Sequence, residues 1–294
     1  MQVSYFNVTK AGEELSVTRI LIMDGNPRAS RESGHEDGVK QAAETYAHVV
    51  SRYFPSVKTD IVFAADKDGA IPRGAALSSY DGFIIGGSGL HAYDTSFEVM
   101  NQIALLKEAA EAGLPILGSC WGLQIAAIAA GGSVRKSPKG QELGVARKIQ
   151  LTHVGERHPM FRDKSTVFDA LCIHYDEIEN LPEGSTLLAY NAHSDVQAAI
   201  IPLAKSNVWA VQYHPEFELD NLRMLINHYR GEMIESGLFT DHQMVDAHVA
   251  DYARLSADNS DTAAAWRLGI DRDILDHAHK CAEIRNWVES CVLR

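Results

Sequence analysis

The chain has 294 residues, of which 46% are hydrophobic and 22% are charged, the balance of an ordinary globular protein. This composition excludes a disordered chain, a collagen and a coiled coil as descriptions of the whole protein. The net charge of −12 speaks against binding to nucleic acid or to an anionic membrane, because both interactions need basic patches. We therefore expect neither a nucleic-acid partner nor a membrane partner.

The four cysteines are too few and too scattered for a disulfide framework, and none forms a Cys-x-x-Cys pair. The N-terminus lacks the basic and apolar regions of a signal peptide. No stretch approaches the roughly 18 apolar residues of a membrane span. The sequence thus predicts a cytoplasmic protein with reduced thiols.

Strands alternate with helices in the first half of the chain. Continuous apolar runs predict buried strands at residues 17–23, 57–64, 81–85 and 114–117. Helical spacing of apolar residues predicts helices over residues 39–53, 97–113 and 123–130. The polar, glycine-rich segment 26–38 is predicted to be a loop. This pattern indicates an α/β fold with a mostly parallel central sheet, helices on both faces, and reactive groups at the carboxyl ends of the strands.

The second half of the chain has a different character. Short β-like runs lie between residues 133 and 210, and helices are predicted from Glu218 to the end, the last one beginning near Asp271. We divide the chain into an N-terminal arm (1–16), an α/β domain (17–237) and a helical C-terminal extension (238–294). The extension contains Trp266, Trp287 and an apolar stripe, so we expect it to fold, either against the α/β domain or against another copy of the chain as a homo-oligomer.

Residues 118–122, Gly-Ser-Cys-Trp-Gly, join a predicted strand to a predicted helix. The pattern Gly-x-nucleophile-x-Gly is a nucleophile elbow, with Cys120 in place of the usual serine. The turn lifts the thiol clear of the sheet and sets it at a helix N-terminus, where partial positive charge favours the thiolate. The amide of Trp121 is then placed to donate to an oxyanion. A cysteine at a strand end is often only structural, and it is the elbow that favours a nucleophile.

A cysteine nucleophile needs a base, and His214 is the best candidate among 13 histidines. It follows the predicted strand 208–212, where catalytic loops belong. Glu216 comes two residues later, and positions i and i+2 of an extended backbone point the same way. Glu216 is therefore predicted to orient the imidazole and stabilise its cationic form, as the third member of a triad. Taken alone, this pair is also typical of a surface turn.

Together, these segments resemble the class I (triad) glutamine amidotransferases, most closely the amidotransferase domain of GMP synthetase and its free-standing relatives. The specific matches are residues 115–124 (Pro-Ile-Leu-Gly-Ser-Cys-Trp-Gly-Leu-Gln) and 211–216 (Val-Gln-Tyr-His-Pro-Glu). Trp121 stands where GMP synthetases usually have tyrosine. The resemblance covers about residues 17–230 and implies a flavodoxin-like amidotransferase fold for the domain at 17–237.

The resemblance also implies a mechanism and a substrate site. Cys120 would attack the side-chain amide of glutamine, and His214 would protonate the departing ammonia and then activate water to hydrolyse the γ-glutamyl thioester. The family's oxyanion-hole positions match Gly87 and Trp121.

The places where the family holds the amino-acid end of glutamine match three further positions of this chain: Gln124, Tyr175 and Asp176. We expect no metal and no cofactor at the site.

The acceptor half of an amidotransferase reaction has no counterpart in this sequence, which contains neither a Ser-Gly-Gly-x-Asp-Ser pyrophosphate loop nor a Walker A motif. The preferred hypothesis is a glutamine amidotransferase or glutaminase that releases ammonia for a separate synthetase subunit. The alternative is a hydrolase of γ-glutamyl peptides or amines that uses the same triad without ammonia transfer. A non-catalytic regulatory protein is the third hypothesis, which the intact triad disfavours.

Overall fold

The computed structural model describes residues 17–72 and 75–294, so the predicted N-terminal arm lies outside the described residues. The strands are β1 (Arg19–Met23), β2 (Lys58–Val62), β3 (Gly82–Ile85), β4 (Ile116–Ser119), β5 (Ser133–Lys136), β6 (Glu142–Leu151), β7 (Val167–His174), β8 (Asp176–Asn180), β9 (Thr186–Tyr190), β10 (Ala198–Leu203) and β11 (Ser206–Val211). The helices are α1 (Arg28–Glu36), α2 (Ala42–Tyr53), α3 (Phe97–Glu111), α4 (Trp121–Ala129), α5 (Leu219–His228), α6 (Arg230–Glu235), α7 (His242–Ala257), α8 (Thr262–Leu268), α9 (Arg272–Leu275), α10 (His277–Lys280) and α11 (Ala282–Trp287).

Within the described residues, nine strands form one sheet in the order β2-β1-β3-β4-β11-β10-β9-β6-β7. The first five of these run parallel, and the other four continue the sheet with antiparallel pairing. Strands β5 and β8 pair separately as an antiparallel ribbon. The prediction of an α/β fold with a mostly parallel central sheet is confirmed. Because β3, β4 and β11 are parallel neighbours, the segments that follow them meet at one edge of the sheet.

Both faces of the parallel half are covered, which explains its continuous apolar strands. In β1, Leu21 and Met23 pack in the core beneath α3 and α4. The alternate residues Ile20 and Ile22 pack on the opposite face, against α2 and the C-terminal Trp287. No helix in the described part of the chain combines the length and the apolarity needed to cross a membrane.

The prediction of a loop at residues 26–38 is wrong, because this segment contains α1. Only Gly34 is buried in this helix, so it has no apolar stripe from which to predict it. Ionic contacts hold it instead: Arg31 donates to the Asp66 carboxylate at 2.7 Å, and the backbone N–H of Arg28 donates to the same carboxylate at 2.9 Å. The helix forms one wall of the cavity described below.

The chain is helical after Glu218, as predicted, but the last predicted helix is divided into α9, α10 and α11. Asp271 caps the N-terminus of α9 by accepting from the N–H of Asp273, close to the expected start. These helices pack on the chain's own α/β domain. The indole of Trp287 is fully buried, and a Cβ added at Gly82 in β3 would lie 2.8 Å from it.

Candidate active site

The elbow is a tight turn from β4 into α4. Cys120 has φ +50° and ψ −98°, a conformation that costs about 1–3 kcal/mol for a residue other than glycine and is concentrated at functional sites. Both flanking glycines are required by close packing. A Cβ at Gly118 would lie 2.7 Å from the backbone of Gly122, and a Cβ at Gly122 would lie 2.8 Å from the carbonyl oxygen of Ile85.

The Cys120 thiol lines a cavity of about 330 Å³. The residue is only 5% exposed, and its sulfur lies 3.7 Å from the carbonyl oxygen of Ile173. Its backbone N–H donates to the carbonyl of Val211 at 2.8 Å. This bond ties the elbow to the end of β11, from which the chain continues to His214.

The structure brings His214 to the same cavity. Its Nδ1 lies 2.7 Å from Oε1 of Glu216, and its Nε2 has no hydrogen-bond partner among the described residues. Burial by itself lowers the pKa of His214, but the Glu216 carboxylate and the neighbouring Cys120 thiol outweigh burial and raise that pKa to about 10. The arrangement favours a protonated imidazole beside the sulfur of Cys120, and a positive charge in that place supports a nucleophilic cysteine.

Two residues that sequence reasoning missed form a chain of hydrogen bonds to the Glu216 carboxylate. Ser119 donates to Oε1 of Glu216 at 3.4 Å, and the Tyr46 hydroxyl is hydrogen-bonded to the Ser119 hydroxyl. Both residues are buried, so water cannot replace these contacts readily. Ser119 lies within the elbow motif, whereas Tyr46 is on the buried face of α2 and has no local signal of its role.

The two predicted oxyanion positions lie on different elements. Gly87 follows β3 and lines the cavity. Trp121 is the first residue of α4, where a backbone N–H has no partner within the helix. The Trp121 side chain is buried and donates from Nε1 to the Gln102 side chain at 2.8 Å, and Gln102 donates in turn to the carbonyl of Gly25 at 3.0 Å. The buried Gln102 side chain therefore satisfies the indole N–H of Trp121, the residue that stands where GMP synthetases usually have tyrosine.

The three predicted substrate positions also line the cavity, on the side of β7 and β8. The Gln124 amide donates to the backbone carbonyl of Asp176 at 3.1 Å. The carboxylate of Asp176 lies 2.6 Å from Nδ1 of His91. The described residues contain no group of three or more His, Cys, Asp or Glu side chains that could hold a metal ion.

A second wall of the cavity was not predicted. It is formed by α1, the segment before α2, and α5 with α6; its members include Arg31, Val39, Asn221, Leu225 and Tyr229. Sequence reasoning missed it because α1 lacks an apolar stripe and α5 is remote from the elbow in the chain. The same cavity of about 330 Å³ is thus lined by Cys120, by Gln124 and Asp176, and by residues of α1 and α5.

The chain belongs to the class-I glutamine amidotransferase family, whose model matches residues 39–229. It is 30% identical over 280 residues to a γ-glutamyl-L-1-hydroxyisopropylamide hydrolase from a Pseudomonas species, a match that covers 94% of this chain and 93% of that protein. It is also 30% identical to γ-glutamyl peptidase 4 of Arabidopsis thaliana, over 54% of this chain and 63% of that protein.

GMP synthases are among the relatives, as the sequence indicated. The enzyme from Lactococcus lactis strain SK11 is 29% identical over 58% of this chain and 31% of its own length. Among solved structures, a glutamine amidotransferase from Thermotoga maritima has a TM-score of 0.65 at 17% identity and covers 93% of this chain and 99% of its own. This last likeness supports the fold.

Proposed function

We propose that this protein hydrolyses γ-glutamyl amides of organic amines through a Cys120 thioester, the alternative hypothesis of the sequence analysis. The observation that carries this proposal is that the cavity of Cys120 has a volume of about 330 Å³ and is also lined by residues of α1 and α5, which gives more room than an ammonia leaving group needs. The similarity to a γ-glutamyl-amide hydrolase over nearly the whole of both chains supports it. The similarity to GMP synthases covers a smaller share of this chain.

In the proposed reaction, the Cys120 sulfur attacks the γ-carbonyl carbon of the substrate. The oxyanion accepts hydrogen bonds from the backbone N–H groups of Gly87 and Trp121. His214 gives its Nε2 proton to the amine nitrogen as the C–N bond breaks, which leaves a γ-glutamyl thioester. Water, deprotonated by His214, then attacks the thioester, and glutamate and the free thiol are released. Glu216 orients the imidazole and stabilises its cation in both steps.

In this proposal, different parts of the cavity lining hold the two parts of the substrate. Gln124 and the backbone at Tyr175 and Asp176 hold the amino-acid end of the γ-glutamyl group. Val39 and Leu225 offer apolar surface to the amine, while Asn221, whose side-chain oxygen already accepts from the N–H of Glu218, offers its amide N–H groups. This combination suits a small alkylamine with a polar substituent.

The proposal is tested by comparing kcat/KM for γ-glutamyl isopropylamide, γ-glutamyl dipeptides and glutamine. We expect the alkylamide to exceed glutamine by at least about tenfold, since one or two buried methyl groups contribute about 1–3 kcal/mol. Leu225→Trp should narrow the cavity on the side of α5 and reduce alkylamide hydrolysis while retaining glutamine hydrolysis. Cys120→Ala is the inactive control. A preference for glutamine, raised further by a synthetase from the same cell, would favour ammonia transfer instead.

A further inference from the structure

The loop that carries His214 and Glu216 rests on the C-terminal extension. Lys280 donates from Nζ to the carbonyl of Phe217 at 2.7 Å and pairs with the Glu218 carboxylate at 2.8 Å. The thiol of Cys281 donates to the carbonyl of Pro215 at 3.2 Å. Lys280 and Cys281, two consecutive residues of the extension, therefore contact the two residues that flank Glu216 in the chain, Phe217 and Pro215.

The start of the loop has a third contact with the same segment. The hydroxyl of Tyr213, the residue before His214, donates to Oε1 of Glu283 at 2.6 Å. Glu283 is fully buried and is balanced by the buried Lys164, whose Nζ lies 3.1 Å away. Lys164 and Tyr213 both contact the same oxygen of Glu283, Oε1, so the oxygen that accepts from the loop is also the one held by the Lys164 ammonium.

These contacts are costly to make, which indicates a purpose beyond stability. Lys280 is only 5% exposed, and burying an ammonium group costs several kcal/mol that an ion pair only partly returns. Apolar residues of similar volume often hold such an interface at least as well as a buried ion pair. Burial raises the pKa of Cys281 to about 12, so its thiol remains protonated and able to donate at neutral pH.

We propose that residues 280–283 are a positioning element for the catalytic loop, with Lys280, Cys281 and Glu283 acting through the backbone and Tyr213 on His214 and Glu216. The link to the imidazole is direct, because the ring of Phe217 stacks on the ring of His214 with centroids 4.0 Å apart. Because the carbonyl and the ring belong to the same residue, a shift of the Phe217 carbonyl moves the Phe217 ring and changes its stacking on His214. The inference rests on the proposed triad, and it makes the C-terminal extension part of the construction of the active site.

The test compares Lys280→Met, which keeps the length of the side chain and removes its donors, with Asn286→Ala. Asn286 also fastens the extension to the α/β domain, through bonds of 2.9 Å to the carbonyls of Met160 and Arg162, away from the loop. We expect both variants to lose stability, but only Lys280→Met to lose about 10–100-fold in kcat, with KM within about threefold, because small displacements of catalytic groups have such effects. Tyr213→Phe, a milder change that leaves Glu283 paired with Lys164, should reduce kcat severalfold.

A second readout does not depend on the substrate. The rate of Cys120 alkylation by iodoacetamide, followed from pH 5 to 11, reports the thiolate that the His214 imidazolium stabilises. A loosened loop weakens the Glu216 contact and lowers the pKa of His214, so the profile of Lys280→Met should shift, whereas that of Asn286→Ala should match the parent. Unchanged kcat and an unchanged profile in Lys280→Met would overturn the positioning role. A parent protein inactive on every γ-glutamyl substrate would overturn the proposed function, while the alkylation profiles still decide the role of residues 280–283.

Discussion

The imidazole of His214 lies flat on the ring of Phe217, with the two planes 3° from parallel. Gly87 approaches the same imidazole so closely that an added Cβ would lie 2.9 Å from Cε1. With Nδ1 bonded to Glu216 as well, the ring has little freedom to move. A residue with any side chain at position 87 must therefore displace the proposed general base.

Gly87→Ala should lower kcat by about 10²-fold, because the displaced imidazole is misaligned for proton transfer. The melting temperature should fall by a few degrees, because displacing the ring strains its contacts with Phe217 and Glu216. Gly89→Ala is the matched control, because a Cβ there would meet only the Tyr229 hydroxyl, at 3.7 Å. Equal activity of the two variants would show that the close approach has no role in catalysis.

A glutamine-like electrophile should label Cys120 and spare the other three cysteines. Burial raises the pKa of each of Cys172, Cys281 and Cys291, so these thiols stay protonated and unreactive at neutral pH. Peptide mapping by mass spectrometry after limited labelling checks this expectation. Comparable labelling of Cys291, the least buried of the three, would contradict it.

Glu216→Gln should lower kcat by about 10²-fold, a milder loss than that of Cys120→Ala, because it weakens the base without removing the nucleophile. It should also move the basic limb of the pH profile of kcat/KM. The Glu216 carboxylate holds the pKa of His214 near 10, against the effect of burial. Without that charge, the imidazolium loses its proton at lower pH, and activity declines from a lower pH onward. A basic limb that stays in place would mean that another group sets it.

The residues of the site that could be predicted are those whose geometry is local in the chain. Residues 118–122 form a turn whose glycines are required by contacts within the turn and with β3. His214 and Glu216 are two positions apart, and their 2.7 Å contact was predicted from an extended link. That geometry is wrong: the link is a turn, in which the N–H of Phe217 donates to the carbonyl of His214 at 3.3 Å. The family resemblance added Gly87 and Gln124, which local patterns alone would not have joined to the elbow.

The residues that were missed act across long separations. Tyr46 reaches Ser119 from 73 positions away, and Lys280 reaches Phe217 from 63 positions away. Nothing in the neighbourhood of either residue indicates that contact, because it depends on how the elements pack. Helix α1 was missed for a related reason: ionic contacts with Asp66 fix it, and these leave no periodic apolar pattern in the sequence.

The two tryptophans of the C-terminal extension offer the sharpest test of where that extension packs. Trp287 is fully buried against the chain's own sheet, whereas Trp266 is 83% exposed. Trp287→Ala should lower the free energy of unfolding by about 3–5 kcal/mol, as expected for a large aromatic side chain removed from a core. Trp266→Ala should change it by no more than about 0.5 kcal/mol. Urea unfolding of both variants should be independent of protein concentration, because the burial of Trp287 is within one chain. The opposite result is an unfolding midpoint that rises with protein concentration in the parent but not in Trp287→Ala. It would show that the apolar face around Trp287 packs between two copies of the chain.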